Sequence, residues 1–348
     1  MLKAFRGSFF FTIVCFALGI GYGIYTSDIS KGITVAVSLT VLAILEVSLS
    51  FDNAVVNATV LRGMTPWWRT LFLTWGVLIA VFGMRVVFPL LIVGITAKLG
   101  PVEAFQLAFS EPTRYQSILE SAHVNIMGFG GAFLFLVGLK FFFDSDKDIH
   151  WVGWVETLLK RFADLEAAEI IVVLGAASAI AVNLPSAAQG LWFMISALAG
   201  ISTYFVVSWI GDALGGEGDG EGAKAVVRSG LGAFLYLELV DASFSFDGVI
   251  GAFAVSSDLI VIALGLGIGA MFVRSLTIFL VDSGTLQKFV YLEHGAFWAI
   301  LTLAVLMYVS TITHVPELVT GGVGASLIII AAIWSRMFPH AEAAEEEG

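Results

Sequence analysis

The sequence is poor in charged residues, and this scarcity sets the broad class of protein. Only 13% of the 348 residues are Asp, Glu, Lys or Arg, whereas 58% are hydrophobic. A soluble chain of this length needs far more charge to cover its surface. The apolar residues also come in runs of about 18 or more, the length that crosses a bilayer. The composition therefore predicts an all-α polytopic membrane protein in contact with lipid.

Cysteine, positive net charge and catalytic motifs are lacking as well. Cys15 is the single cysteine, which excludes disulfides and thiolate metal sites. The formal net charge of −11 disfavours nucleic acid as a partner. The sequence has no phosphate-binding glycine loop and no histidine-rich metalloprotease motif, and the serines near Asp52 and Asp247 have no histidine at helical spacing. We therefore expect neither an enzyme nor a covalent cofactor.

The apolar runs predict about ten transmembrane helices. They lie near residues 8–25, 33–60, 70–96, 123–143, 169–184, 188–210, 230–254, 258–281, 293–313 and 317–338. Nine or eight helices are alternatives, because only the turn-forming stretch Asn183-Leu184-Pro185-Ser186 divides 169–184 from 188–210. The first run could be a signal peptide, but its length and the lack of a convincing small-residue cleavage site favour a retained helix.

The basic residues are distributed unequally between the predicted loops. With both termini in the cytoplasm, Lys31, Lys98 and Arg114 lie outside, Arg85 and Arg274 lie within helices, and the other Lys and Arg residues lie inside. This positive-inside bias supports that orientation.

Two segments that are predicted to be cytoplasmic stand out. Residues 149–166 predict an interfacial amphipathic helix with an apolar side of Trp151, Trp154, Leu158 and Phe162. Residues 211–223, acidic and Gly-rich, predict a flexible linker.

The sequence contains an internal repeat. SFDNAVV at 50–56 matches SFDGVIG at 245–251, Arg85 matches Arg274, and His123 matches His294. The matching helices are five apart, an odd number, so an inverted three-helix repeat is predicted, as in many secondary transporters. The two histidines are expected to be interfacial residues at helix starts.

The predicted organisation is an N-terminal helix (1–32), a first repeat (33–143), a connector with the interfacial helix, two helices and the acidic loop (144–229), a second repeat (230–313), and a last helix with an acidic tail (314–348).

Carboxylates inside the apolar helices are the main functional signal. They are Glu46, Asp52, Glu238, Asp241 and Asp247. Each costs roughly 2.5–3.5 kcal/mol at mid-membrane unless it is protonated, paired with Arg85 or Arg274, or bound to a cation. Ion-paired struts are the structural alternative, but five carboxylates outnumber two arginines. A cation or proton site is therefore favoured.

Helical spacing indicates which of these groups can act together. Two polar stripes are formed by Glu46, Ser50, Asn53 and Asn57, and by Glu238, Asp241, Ser245 and Gly248. Asp52 and Asp247 lie about 120° from Glu46 and Asp241 on a regular helix, so they either flank the same cavity or the helices open at these points. Oxygen ligands of this kind suit Mn²⁺, Ca²⁺ or Mg²⁺.

The segments LEVSLSFDNAVV, LELVDASFSFDGV and YLEHGAFWAI resemble the signatures of the TerC-like integral membrane family. The resemblance covers residues 33–313 and is greatest for an uncharacterised bacterial branch, which implies a bacterial inner-membrane protein. It implies an inverted-repeat transporter related to manganese exporters and to tellurite or metal-stress complexes. It also implies that Glu46, Asp52, Asn53, Asp241 and Asp247 are ion ligands. Gly248 replaces the second asparagine, so the half-sites differ, and Glu238 is additional.

These observations lead to one expected function and two alternatives. We expect a secondary transporter that exports a divalent cation, with Mn²⁺ favoured, through a midplane site and with possible proton coupling. The candidate ion-binding residues are Glu46, Ser50, Asp52, Asn53, Glu238, Asp241, Ser245 and Asp247; Glu46, Asp52, Asp241 and Asp247 are the metal ligands, and Arg85 and Arg274 the charge partners. The alternatives are a non-transporting scaffold of a metal or tellurite stress complex and a transporter of a cationic organic solute.

Overall fold

The computed structural model describes residues 2–76, 78–144, 149–160, 167–215 and 230–338. Within these ranges the regular structure is entirely helical. The helices are α1 (Leu2–Thr26), α2 (Ile29–Leu49), α3 (Phe51–Gly63), α4 (Pro66–Leu71), α5 (Phe88–Ala97), α6 (Pro101–Ser110), α7 (Pro112–Ser121), α8 (His123–Phe142), α9 (Gly153–Lys160), α10 (Ala168–Ala181), α11 (Ala187–Gly215), α12 (Gly230–Val255), α13 (Leu259–Asp282), α14 (Thr285–Lys288), α15 (Leu292–Ser310) and α16 (Glu317–Met337). Wider, π-helical turns at Phe72–Gly76 and Ile79–Val87 lie between α4 and α5.

The membrane class predicted from the composition is confirmed. Eight segments of the described chain are long and apolar enough to cross a membrane: most of α1, α11 and α16, the segment Ile79–Ala97, and the whole of α2, α8, α13 and α15. The other two predicted spans are α10, which is apolar but has only 14 residues, and α12, which carries three acidic residues. The protein is therefore an all-α polytopic membrane protein.

Two of the long helices begin at aspartates that cap them. The Asp28 side chain accepts a hydrogen bond from the Lys31 backbone N–H at 2.8 Å, and the Asp258 side chain accepts one from the Ile260 N–H at 2.9 Å. Each carboxylate satisfies a backbone donor that the helix itself leaves free and lies at the positive end of the helix dipole. These caps set the starts of α2 and α13.

The chain turns between α10 and α11, so residues 169–210 form two helices as predicted. Lys140, near the end of α8, pairs at 2.5 Å with Glu169, near the start of α10. Gly128, near the start of α8, packs against Phe193, near the start of α11. The helix α10 is therefore antiparallel to both α8 and α11. This hairpin reverses the direction of the chain between the two repeats.

Matching helices of the two repeats run in opposite directions. In the pair α8 and α15, Gly131 packs against Tyr308, and Gly138, two turns later, packs against Leu301. In the pair formed by α2–α3 and α12, Asn53 contacts Asp241 whereas Glu46 lies beside Gly248. In both pairs the residue numbers increase along one helix as they decrease along the other. This is the packing of an inverted repeat.

The first long helix of the first repeat is interrupted, which corrects the prediction of one helix over 33–60. Ser50 has φ −109° and ψ 17°, and it separates α2 from α3. In the second repeat α12 runs unbroken from Gly230 to Val255 and includes Asp247. The helix therefore opens at SFDN but not at SFDG.

The predicted interfacial helix at 149–166 is a short amphipathic helix in the structure. Gly153–Lys160 is helical, and residues 161–166, with Phe162, lie outside the described residues. Trp154 is 78% exposed, whereas Glu156 is 1% exposed. The charged side therefore faces the protein and the apolar side faces outward, as lipid contact requires. Most of the predicted 211–223 linker and the acidic tail also lie outside the described residues.

Candidate functional site

A small polar cavity of about 30 Å³ lies between the two repeats. A single water needs about 10–15 Å³ measured in this way, so the cavity has room for about two waters or one ion. It is bounded by α2, α3, the π-helical turns, α12 and α13. The polar and charged side chains that line it are Glu46, Ser50, Asn53, Asn57, Arg85, Glu238, Asp241, Arg274 and Thr277.

The first-repeat side of the cavity is neutralised by a buried ion pair. Arg85 Nη2 donates to Glu46 Oε1, and both side chains are 2% exposed. Ser50 Oγ also donates to the same Glu46 oxygen, at 3.1 Å. The other terminal nitrogen of Arg85, Nη1, donates to the Ala80 carbonyl within the π-helical turns. Glu46 is therefore held by a guanidinium, which accounts for its charge inside an apolar helix.

The second-repeat side has a different composition. Asn53 Nδ2 donates to Asp241 Oδ1. Five other buried oxygen atoms of the lining residues have no hydrogen-bond partner among the described residues: Asn53 Oδ1, Asn57 Oδ1, Glu238 Oε1, Glu238 Oε2 and Asp241 Oδ2. An unsatisfied buried polar group costs about 1–3 kcal/mol, and more when it is charged. This concentration of acceptors is the arrangement that a cation or protons would stabilise.

The backbone approaches Glu238 very closely at one point. A Cβ atom added at Gly76 would lie 2.6 Å from Glu238 Oε1. Such a contact is far inside van der Waals distance, so only glycine fits here without displacing the carboxylate. The π-helical turn Phe72–Gly76 therefore forms one wall of the cavity, close to the carboxylate of Glu238.

The two half-sites are related by the repeat but are not equivalent. In the repeat Asn53 matches Gly248 and Glu46 matches Asp241, so the contact between Asn53 and Asp241 has its counterpart between Gly248 and Glu46. A Cβ at Gly248 would lie 3.3 Å from Glu46 Oε2. The second copy therefore has only the backbone of Gly248 at the position where the first copy has the amide side chain of Asn53.

The two predicted charge partners also differ. Arg85 pairs with Glu46, whereas the half-buried Arg274 donates from Nε to the Leu73 carbonyl at 2.6 Å. None of the described carboxylates pairs with Arg274, although it lines the same cavity. The second half-site thus lacks the guanidinium that the first one has.

Two of the described residues that were predicted to bind the ion, Asp52 and Ser245, are not among those that line the cavity. Asp52 is 3% exposed, but its Oδ1 accepts from the Asn53 backbone N–H at 2.9 Å and its Oδ2 faces Gly324 of α16. The break at Ser50 does not turn Asp52 back towards Glu46. Ser245 is buried outside the lining, and the Asp247 side chain lies outside the described part of the chain.

The predicted set of four carboxylate ligands is consequently not assembled in this conformation. Glu46 is paired with Arg85, and Asp52 lies against α16. Among the described side chains no group of three or more His, Cys, Asp or Glu could hold a metal ion. Among the described residues, the carboxylates that the cavity offers besides Glu46 are Glu238 and Asp241, and its other side-chain oxygens come from amides and hydroxyls.

Two features of the molecule were missed or undervalued from the sequence. Asn57 continues the polar stripe of Glu46 and lines the cavity, and this spacing was the signal that could have placed it in the site.

Glu156 lies near the start of α15, where it accepts a hydrogen bond from Trp298 Nε1 at 3.2 Å and lies 3.6 Å from His294 Nε2. His294 is 4% exposed and donates to the Ile149 carbonyl at 2.7 Å, so its side chain is buried within the protein at the start of α15.

The fold and the cavity define a polytopic α-helical membrane protein built from an inverted repeat around a buried acidic cavity. The chain belongs to the family described as "Protein of unknown function (DUF475)", whose model matches residues 51–342. The match includes Asn53, Arg85, Glu238 and Asp241, and so most of the cavity. No curated protein and no solved structure gives a match.

Proposed function

We propose that this protein is a secondary transporter that exports a divalent cation through the cavity between its repeats. The observation that carries this proposal is the set of five buried, unpartnered oxygen atoms around the cavity. An inverted repeat with its site between the halves is a plan that many secondary transporters share. Binding of a cation would satisfy acceptors that are otherwise costly to bury.

Ligand chemistry favours a hard cation. The cavity offers carboxylate, amide and hydroxyl oxygens, which suit Mn²⁺, Ca²⁺ and Mg²⁺ better than Zn²⁺ or Cu⁺. The sequence resemblance to the TerC-like family favours Mn²⁺ among these ions and export as the direction. That resemblance and the distribution of basic residues also support a bacterial inner-membrane protein with both termini in the cytoplasm.

Coupling to protons follows from the charge of the site. Release of a divalent ion leaves Glu238 and Asp241, one helical turn apart, buried in the cavity without a salt bridge to a described Lys or Arg. Protonation is the direct way to neutralise two such carboxylates in a medium of low dielectric constant. We therefore propose antiport, in which protons enter the site as the ion leaves.

The size of the cavity argues against an organic substrate. Sites for small organic molecules usually have volumes of about 300–1,000 Å³, whereas this cavity has about 30 Å³. The alternative of a non-transporting scaffold requires the carboxylates to be ion-paired struts. Glu46 is such a strut, but Glu238 and Asp241 have no arginine partner among the described residues.

The proposal is tested by measuring Mn²⁺ flux in proteoliposomes under an imposed proton gradient. We expect Glu238→Gln and Asp241→Asn each to reduce the flux at least tenfold, because each removes a carboxylate from the cavity. Asp282→Asn is the matched control, since Asp282 is an exposed carboxylate at the end of α13. Wild-type protein without Mn²⁺, Ca²⁺ or Mg²⁺ flux, or cavity variants as active as the control, would show that the proposal is wrong.

A further inference from the structure

The cavity contains two half-sites that correspond in the repeat, but only the first has a carboxylate paired with an arginine among the described residues. In the first half-site the negative charge of Glu46 is met by the guanidinium of Arg85. In the second the equivalent carboxylate, Asp241, receives only an amide N–H, and Arg274 binds the Leu73 carbonyl instead. An arginine of the protein is thus paired with a carboxylate in the first half-site only.

We propose that Arg85 is the resident cation of the first half-site and that the second half-site alone holds the transported ion, so that one divalent cation binds per chain. This inference rests on the proposed function and defines the ligand set of that site. The ligands are Glu238, Asp241, Asn53 and Asn57, and Glu46 is excluded from them.

The orphaned atoms of these four side chains supply the ligands. Glu238 and Asp241 are each 8% exposed, Asn57 is 5% exposed and Asn53 is 1% exposed. All four line the same cavity, and each has at least one buried oxygen without a partner among the described residues. Glu46 differs, because its Oε1 accepts hydrogen bonds from both Arg85 and Ser50.

Charge supports a single divalent ion. The charges of Glu46 and Arg85 cancel, which leaves Glu238, Asp241 and Arg274 as the other charged groups of the lining and a formal net charge of −1. One divalent cation brings this to +1, whereas two would bring it to +3 in a cavity of about 30 Å³. Two divalent ions about 4 Å apart repel strongly even at an effective dielectric constant of 20.

Asn53 has a definite role in this half-site. Its Nδ2 donates to Asp241 Oδ1, which leaves Asp241 Oδ2 and its own Oδ1 available. The amide therefore fixes the orientation of one carboxylate ligand and contributes an oxygen itself. Gly248 can do neither for Glu46.

The test is a count of bound Mn²⁺ by equilibrium dialysis and elemental analysis of the purified, detergent-solubilised full chain. We expect one ion per wild-type chain. The paired variant Glu46→Gln/Arg85→Gln removes both charges together and should retain one ion with a Kd within about threefold of wild type. Glu238→Gln should weaken binding at least tenfold, which identifies the half-site that holds the ion.

Two outcomes would overturn the inference while leaving the proposed function intact: two ions per wild-type chain, or loss of binding in Glu46→Gln/Arg85→Gln. If the paired variant does not fold, Asn57→Ala decides. It should weaken Mn²⁺ binding about tenfold relative to Asn183→Ala, an exposed asparagine between α10 and α11; equal affinities for these two variants would contradict the ligand set. A wild-type chain that binds neither Mn²⁺, Ca²⁺ nor Mg²⁺ would remove this inference together with the proposed function.

Discussion

The position of Asp52 against α16 leads to a quantitative prediction for two glycines of that helix. A Cβ added at Gly324 would lie 2.6 Å from Asp52 Oδ2 and 3.3 Å from its Cγ. Asp52 cannot move away easily, because it is 3% exposed and its Oδ1 is held by the Asn53 N–H. Overpacking of this kind costs about 1–3 kcal/mol. Gly324→Ala should therefore lower the unfolding temperature, even after the gain in helix propensity.

Gly322 is the matched control in the same helix. A Cβ added there meets nothing within 4 Å, so Gly322→Ala should gain only helix propensity, about 0.5–1 kcal/mol. The two substitutions are chemically identical and should shift the unfolding temperature in opposite directions in a thermal assay monitored by tryptophan fluorescence. Equal shifts for the two variants would refute the placement of Asp52 against α16. The double variant Gly324→Ala/Asp52→Ala should recover part of the loss, because it removes the clashing oxygen.

Two further substitutions test other parts of the structure. Gly76→Ala should displace Glu238, because the added Cβ would lie 2.6 Å from its Oε1. We expect its affinity for Mn²⁺, measured by isothermal titration calorimetry, to fall about tenfold. The control Gly83→Ala, in the neighbouring π-helical segment, should bind Mn²⁺ with an affinity near that of wild type. Glu156→Leu should destabilise the protein by about 2–4 kcal/mol, since it removes a buried acceptor of several hydrogen bonds. The control Glu111→Leu, at an exposed carboxylate, should change the unfolding temperature little. Equal shifts of the unfolding temperature for the two variants would contradict the buried role of Glu156.

Much of the fold could be predicted because its signals are local and repeated. Apolar runs gave the spans, and the duplicated SFDN and SFDG motifs gave the helices that correspond. Their opposite directions followed from the number of crossings between them. The short helices α6 and α7 were not predicted, and the sequence left open whether the helix breaks near Ser50. These features depend on tertiary packing around polar residues, which hydropathy does not report.

The site could be predicted in part. Helical spacing correctly grouped Glu46, Ser50 and Asn53, and it indicated that Asp52 points elsewhere on a regular helix. The prediction of Asp52 as a ligand depends on an opened helix that brings it back towards Glu46, and it stays a prediction. A break at one residue changes the helix direction without selecting which side chain turns inward, and here Asp52 is directed to α16. Residue spacing along one helix also could not show which arginine would pair with a carboxylate, because this pairing depends on how different helices pack against each other.

A single difference between the repeats accounts for the asymmetry of the cavity. In the first copy Asn53 supplies an amide donor to Asp241, so this carboxylate is oriented without an arginine and keeps Oδ2 for a ligand. In the second copy Gly248 has no side chain to offer Glu46. Glu46 instead accepts from the Ser50 hydroxyl and from Arg85, whose charge offsets the cost of burying the carboxylate. The exchange of an amide for glycine therefore explains both why Arg85 is bound on one side and why the acceptors on the other side remain available to a cation.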